Sequence, residues 1–266
     1  MYDPKERLIC AASFRERVLH HALMNVCEPI FEKFQIGDSY ATRPGKGQFA
    51  ALERVKGWVN GGVWFCKLDM RKYFDSISHE ILYKLLCSKF KDGRLLNIFR
   101  QIIDSYTTSP GRGVPIGNLT SQYFANFYLA HLDHFAKEKL QIKRYARYMD
   151  DVVILHSSKE KLIDFAGKIR NYCEDELKLE LKPICLNRVE KGIPFLGYVL
   201  FPHGVRLHKN SKKRFLIKHR RYARKLRAGG WSQKEYARHA EPLFAFTRFA
   251  DTLNLRRRAI SKTETG

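Results

Sequence analysis

Two aspartates stand side by side between two extended-type runs, Arg147-Tyr148 before and Val152-Val153-Ile154-Leu155 after, and this arrangement narrows the folds open to the chain. β-Branched and aromatic residues favour strands, and so short an interruption between strands reads as a hairpin with acids at its tip. A second strand-type run, Val63-Trp64-Phe65-Cys66-Lys67-Leu68-Asp69, also ends on a carboxylate. If the two segments are neighbours in one sheet, Asp69, Asp150 and Asp151 converge, and three repelling anions call for a cation. Oxygen donors without thiolate or imidazole suit Mg²⁺, and paired divalent ions about 3.5–4 Å apart are the usual arrangement for in-line phosphoryl transfer. Spacing alone leaves a plainer alternative open: an ordinary polar turn at Asp150-Asp151 and a helix cap at Asp69.

Helical periodicity surrounds these strands. Apolar residues recur every three or four positions from Arg7 to Phe34 (Phe14, Val18, Leu19, Ala22, Leu23, Val26, Ile30), and the spacing predicts further helices over 50–59, 79–106, 120–140 and 159–177. A strand is expected at Lys178 to Leu181 and a short strand pair around Phe195 to Val199. Interspersed helices and hairpins, without internal repeats, define an α+β class.

Charge indicates the kind of partner. The 49 Lys+Arg against 27 Asp+Glu give a formal net charge of +22, while 44% hydrophobic and 13% aromatic residues support an ordered core and exclude a disordered basic tail. From residue 205 onward cations cluster (Lys212, Lys213, Arg214, Arg220, Arg221, Arg224, Lys225, Arg227) with Phe215, Tyr222, Trp231 and Phe244 interleaved, the pattern of packed helices with a basic face for a polyanion. No run approaches the ~18 apolar residues of a membrane span. The start, Met1 to Arg7, carries charge and proline where a secretory signal would be apolar, so a cytoplasmic setting is expected. The six cysteines are scattered and form no Cys-x-x-Cys pair, which argues for free thiols; a zinc site would need clustered ligands, and His20-His21 offers none.

At the paired acids the sequence resembles a known family. Tyr148-Met149-Asp150-Asp151 between hydrophobic strands is similar to the catalytic motif of reverse transcriptases, and Lys67 to Ile77 resembles that family's first palm motif. Ser39 to Gly47 resembles a fingers motif and Phe195-Leu196-Gly197-Tyr198 the primer-gripping hairpin. Ile116-Gly117-Asn118-Leu119-Thr120-Ser121-Gln122 is similar to the pattern of diversity-generating retroelement enzymes, where group II intron and retroviral relatives usually have Gln-Gly.

The resemblance implies a right-hand polymerase: fingers at 1–62, a palm at 63–204 with a fingers insertion near 78–113, and a basic helical thumb at 205–266. It implies that Asp69, Asp150 and Asp151 hold two Mg²⁺ ions, with the Met70 carbonyl as a backbone ligand. Arg7, Arg17, Phe74, Ile116, Gly117 and Tyr148 are expected at the nucleotide, with Phe74 as a gate against the 2′-hydroxyl. Arg43, Phe195, Leu196 and Gly197 are expected at the template–primer. A hydrophobic Ile116 cannot hydrogen-bond to enforce pairing geometry, so low fidelity is expected. The implied partners are template RNA, a cDNA primer, dNTPs and a small basic helical accessory protein. Two departures stand out: the chain looks short by part of the fingers, and Lys182 lies slightly out of register with the lysine that relatives place near pyrophosphate, with Cys185 near its usual place. An intron maturase, a retron or defence-associated enzyme, and a non-catalytic RNA-binding relic are the competing expectations.

Overall fold

Ser13 opens the first helix through a reciprocal cap: its hydroxyl accepts from the Glu16 amide and its own amide donates to the Glu16 carboxylate at 2.7 Å. In this computed structural model, which describes residues 9–61 and 63–264, helix α1 then runs Phe14–Phe34 through Pro29. The face it buries is His20, Met24, Cys27 and Phe31, not the aliphatic row that dominates its sequence. Phe14, Val18 and Val26 are 74%, 54% and 76% exposed. A helix with two apolar stripes carries two candidate core faces; here the packing of Phe31 against Phe90, Phe124 and Phe127 decides between them.

After α2 (Gln48–Val59), strand β1 (Trp64–Asp69) leads into a short helix, α3 (Tyr73–Ser76), then α4 (His79–Lys89) and α5 (Gly93–Asp104). The helical region expected over 79–106 consists of two helices, because Asp92 caps a new one, its carboxylate accepting from the Arg94 and Leu95 amides at 2.8 and 3.0 Å. Helix α6 (Leu119–His134) ends in one wide π-type turn, Phe135–Lys139, before the hairpin of β2 (Arg144–Tyr148) and β3 (Asp151–His156). Helix α7 (Lys159–Asp175) packs against β1 and β3, and α6 against α1.

The sheet order is β2-β3-β1-β4, with β4 at Cys185–Arg188. The strand expected at Lys178 to Leu181 is not formed. Only Leu181 pairs there, in an isolated bridge to Met70, and Pro183, which lacks an N–H, precedes the actual strand.

The chain divides into two compact units, residues 1–55 with 64–186, and residues 56–63 with 187–266. The second contains the antiparallel sheet β5-β6-β7 (Ile193–Phe195, Tyr198–Phe201, Gly204–Leu207) and helices α8 (Lys209–Arg227), α9 (Gln233–Arg248) and α10 (Leu253–Glu264). There the Tyr198 ring packs tilted against Phe246 and edge-on to Phe249, and Asp251 accepts from the Val205 amide. No helix among the described residues is long and apolar enough to cross a membrane.

Candidate active site

Antiparallel pairing of β1 with β3 sets Lys67 opposite Val153 and Asp69 opposite Asp151. The β2–β3 pairing sets Tyr148 opposite Asp151, so that only Met149 and Asp150 form the turn. The three acids named from the sequence therefore share one end of the sheet, at the tips of its two central strands. Asp150 lies close enough to Asp69 that burial first, and then the Asp69 charge, raises its pKa; burial pushes Asp151 up to about 7 despite Lys67.

Two lysines offset part of this charge. Lys67, two residues before Asp69 on the same face of β1, holds Asp151 at 3.1 Å, and Lys182 holds Asp69 at 2.5 Å. One oxygen is left over: Asp151 Oδ1 is buried and has no hydrogen-bond partner. An orphaned carboxylate oxygen beside two further carboxylates is a donor set for a hard divalent cation. Among the described residues no group of three or more His, Cys, Asp or Glu side chains is arranged to hold a metal ion as it stands; Lys67 and Lys182 neutralise part of the acids' charge instead. Met70 is buried next to Asp69, and the pairing on either side runs from Lys182 N–H to the Asp69 carbonyl and from Arg71 N–H to the Glu180 carbonyl.

Phe74 sits in α3 with its ring tilted edge-on to Tyr73, half-buried, and its carbonyl accepts from Val114 at 2.9 Å, tying it to the loop before Ile116. The Ile116 carbonyl accepts from Cys10 N–H. Gly117 has a φ of 122°, a conformation that side chains rarely adopt, and a Cβ there would crowd Ile9 Cγ2 at 3.0 Å. Arg17, His20, His21, Gly117, Asn118 and Gln122 line a crevice of about 290 Å³, which brings two of the expected nucleotide residues together. Tyr148 is half-buried beside the acids. Arg7 lies outside the described residues.

Arg43, expected at the template, is turned inward. Its side chain is 6% exposed, paired with Glu32 at 2.6 Å and donating to the carbonyls of Ile36 and Ser39. It shapes the loop that carries it. In the second unit, Leu196 and Gly197 form the β5–β6 turn with φ of 47° and 87°, Phe195 is buried, and a Cβ on Gly197 would come within 2.9 Å of Ser211 Oγ. Sequence reasoning did not assign Lys67 a role, although the two-residue strand period places it on the face of Asp69; nor did it assign one to the buried Arg147.

The geometry has parallels among known proteins. Group II intron-encoded protein LtrA of Lactococcus lactis subsp. cremoris is 28% identical over 212 residues, covering 73% of this chain and 35% of that protein. Protein YkfC of Escherichia coli is 25% identical over 249 residues, covering 75% of this chain and 65% of its own. The chain thus spans less than two thirds of these relatives. Solved structures of apo telomerase from Candida tropicalis share the fold with TM-scores of 0.56 and 0.58 at 14% and 13% identity, covering 71% and 85% of this chain and 45% and 49% of theirs. The fold is thus the right-hand polymerase fold, α+β. The family model for reverse transcriptase (RNA-dependent DNA polymerase) matches residues 3–200, most of the sequence and all three aspartates. The chain belongs to the reverse transcriptase family.

Proposed function

We propose that the protein is an error-prone RNA-directed DNA polymerase of the diversity-generating retroelement type, copying a template RNA into mutagenised cDNA. The observation that carries the polymerase reading is the strand register that sets Asp69 opposite Asp151, with Asp150 on the adjoining turn. A primer 3′-hydroxyl attacks the α-phosphate of a dNTP, and pyrophosphate leaves. Two Mg²⁺ ions held by Asp69, Asp150 and Asp151, with the Met70 carbonyl as a further oxygen, would stabilise the charge that develops on phosphate oxygens.

The chain's own groups bind and select. Arg17 binds the triphosphate beside Gly117, the Phe74 ring excludes a 2′-hydroxyl, and Tyr148 supports the nucleotide next to the acids. Ile116 offers only apolar contact to the nascent pair, which supports loose pairing geometry. The retroelement subtype rests on Ile116 and on Ser121-Gln122 at the first turn of α6. Residues 1–62 serve as fingers, 63–204 as palm and 205–266 as thumb, whose exposed cations grip the template–primer through phosphates. The Phe195-Leu196-Gly197 turn holds the primer strand, and the loop shaped by Arg43 faces the template. A small basic accessory protein completes the enzyme.

A second reading, an intron-maturase class polymerase, is favoured by the intron-encoded relative. Primer extension on a generic RNA template with Mg²⁺ and dNTPs, with product sequencing, tests both against the Asp150→Ala/Asp151→Ala variant. Extension lost in the variant, with errors at template adenines, is expected. Accurate extension moves the assignment to the second reading, and no extension in any setting favours a non-catalytic RNA-binding protein.

A further inference from the structure

Among the described residues Arg147 is the largest side chain buried without measurable exposure, and its partner Asp133 on α6 is equally enclosed. A guanidinium carries five N–H donors in a fixed fork. Nε and one terminal nitrogen bind the two Asp133 oxygens at 2.7 and 2.6 Å, the latter nitrogen also reaching Ser39 Oγ at 3.1 Å. The other terminal nitrogen donates to Asn126 Oδ1 at 2.8 Å and to the Met149 carbonyl at 2.9 Å.

The ion pair with Asp133 accounts for the buried charge. It does not account for the bond to Met149. That carbonyl belongs to the peptide joining Met149 to Asp150, and Met149 holds a φ of 54°, a left-handed conformation that a non-glycine residue keeps only when its surroundings impose it. The guanidinium reaches the loop that precedes α2 through Ser39 Oγ, and the main chain of residue 147 is bonded to the same loop. Ser39 bridges Arg147 in parallel, Tyr40 N–H donates to the Arg147 carbonyl, Arg147 N–H donates to the Asp38 carbonyl, and Asn126 Nδ2 donates to the Ala41 carbonyl at 2.7 Å. One arginine therefore registers two segments that the sequence places more than a hundred residues apart.

We propose that Arg147 is a positioning residue for polymerisation: through the Met149 carbonyl, Ser39 and Asn126, it locks the Met149-Asp150 turn against the Ser39–Gly47 loop. This rests on the polymerase reading for its consequence, but not for its geometry. A lysine would keep the charge opposite Asp133, yet a single ammonium cannot cover the separate sites of Asp133, Asn126, Ser39 and Met149.

The test uses the full chain carrying Arg147→Lys, with Ser39→Ala as a milder second variant that removes one acceptor. Hydrogen–deuterium exchange, melting temperature, template–primer affinity and steady-state kinetics are measured for each. In Arg147→Lys, exchange at the 148–151 amides is expected to rise at least tenfold while β1 keeps its protection. In the same protein kcat falls at least tenfold, with KM for dNTP and duplex Kd within twofold of the parent. Ser39→Ala shows the same pattern at smaller amplitude. Unchanged exchange at the turn overturns the brace even if the parent protein shows no polymerase activity, so that its failure is distinct from failure of the functional reading. A folded Arg147→Lys protein with kcat within twofold of the parent also overturns it. So does a loss of kcat matched by equal losses of melting temperature and duplex affinity in both variants, since that is the signature of a structural role alone.

Discussion

Lys182 is joined to Asp69 twice: its ammonium donates to Asp69 Oδ2 at 2.5 Å and its amide donates to the Asp69 carbonyl at 2.9 Å. The backbone bond fixes the lysine's place, and the side-chain bond makes it a resident counter-cation. A divalent ion entering among the acids competes with that charge. Lys182→Met is therefore expected to lower the Mg²⁺ concentration for half-maximal binding by roughly two- to tenfold. It should also lower the metal-free melting temperature, because Asp69 then faces Asp150 uncompensated. Isothermal titration with Mg²⁺ checks the first effect, and an unchanged midpoint would show that Lys182 does not occupy the cation's place.

Asp150 and Asp151 carry pKa values raised by burial, and Asp151 Oδ1 has no partner. Buried acids that repel one another oppose folding. Asp150→Asn removes repulsion with Asp69 at nearly constant shape. It is expected to raise the metal-free melting temperature by about 2–4 °C, the shift that roughly 1 kcal/mol produces in a chain of this size, while abolishing primer extension. Scanning calorimetry in EDTA measures the gain; a lower melting temperature would contradict the electrostatic account.

Phe74 is only half-buried and its ring contacts Tyr73, so shortening it should cost the fold little. Phe74→Val is expected to raise incorporation of rNTPs relative to dNTPs by about 10–100-fold, the range over which a pocket discriminates by one small group. Competition assays with single rNTPs would detect this. An unchanged ratio would leave Phe74 as a core aromatic only.

His131 packs between Phe34 and Phe127, and burial lowers its pKa to about 4 from the usual 6.5. The unfolded chain therefore binds a proton that the folded one refuses. The stability this represents is complete above about pH 6.5 and is lost as pH falls from there through about 4, the loss having reached about 2 kcal/mol at pH 5. His20 and His219 act with the same sign. His131→Phe should flatten, without abolishing, the decline in urea midpoint between pH 7 and 5. A parallel decline in both proteins would exclude His131 as a contributor.

The acids were legible because strand pairing and hydrophobic alternation are local signals, and one register brings Asp69 to Asp151 without further information. What the sequence hides is set by tertiary packing. The buried stripe of α1 is the one with His20 and Cys27, since Phe31 meets Phe90, Phe124 and Phe127 in a cluster that no window of α1 contains. Arg43 reads as a surface cation, and only the approach of Glu32 and two carbonyls turns it inward. Arg147 is likewise indistinguishable in sequence from a phosphate-binding arginine; burial against Asp133, contributed by another element, gives it a different role.

On α8, residues Ser211, Phe215, His219 and Ala223 form a narrow buried seam at four-residue spacing, leaving Arg220, Arg221 and Arg224 exposed. Cations arranged on one helix without a matching set of acids suit a phosphate backbone, whose binding releases condensed counterions. Each lost phosphate contact reduces the slope of log K against log salt by up to about 0.9. The triple variant Arg220→Gln/Arg221→Gln/Arg224→Gln is therefore expected to bind an RNA–DNA duplex more weakly at low salt, with a slope smaller by about 2–3. The loss should be equal across template sequences, because phosphates carry no base identity. Fluorescence anisotropy across a salt series measures the slope. An unchanged slope would mean that these three arginines do not touch the duplex, and a sequence-dependent loss would mean that they read bases rather than the backbone.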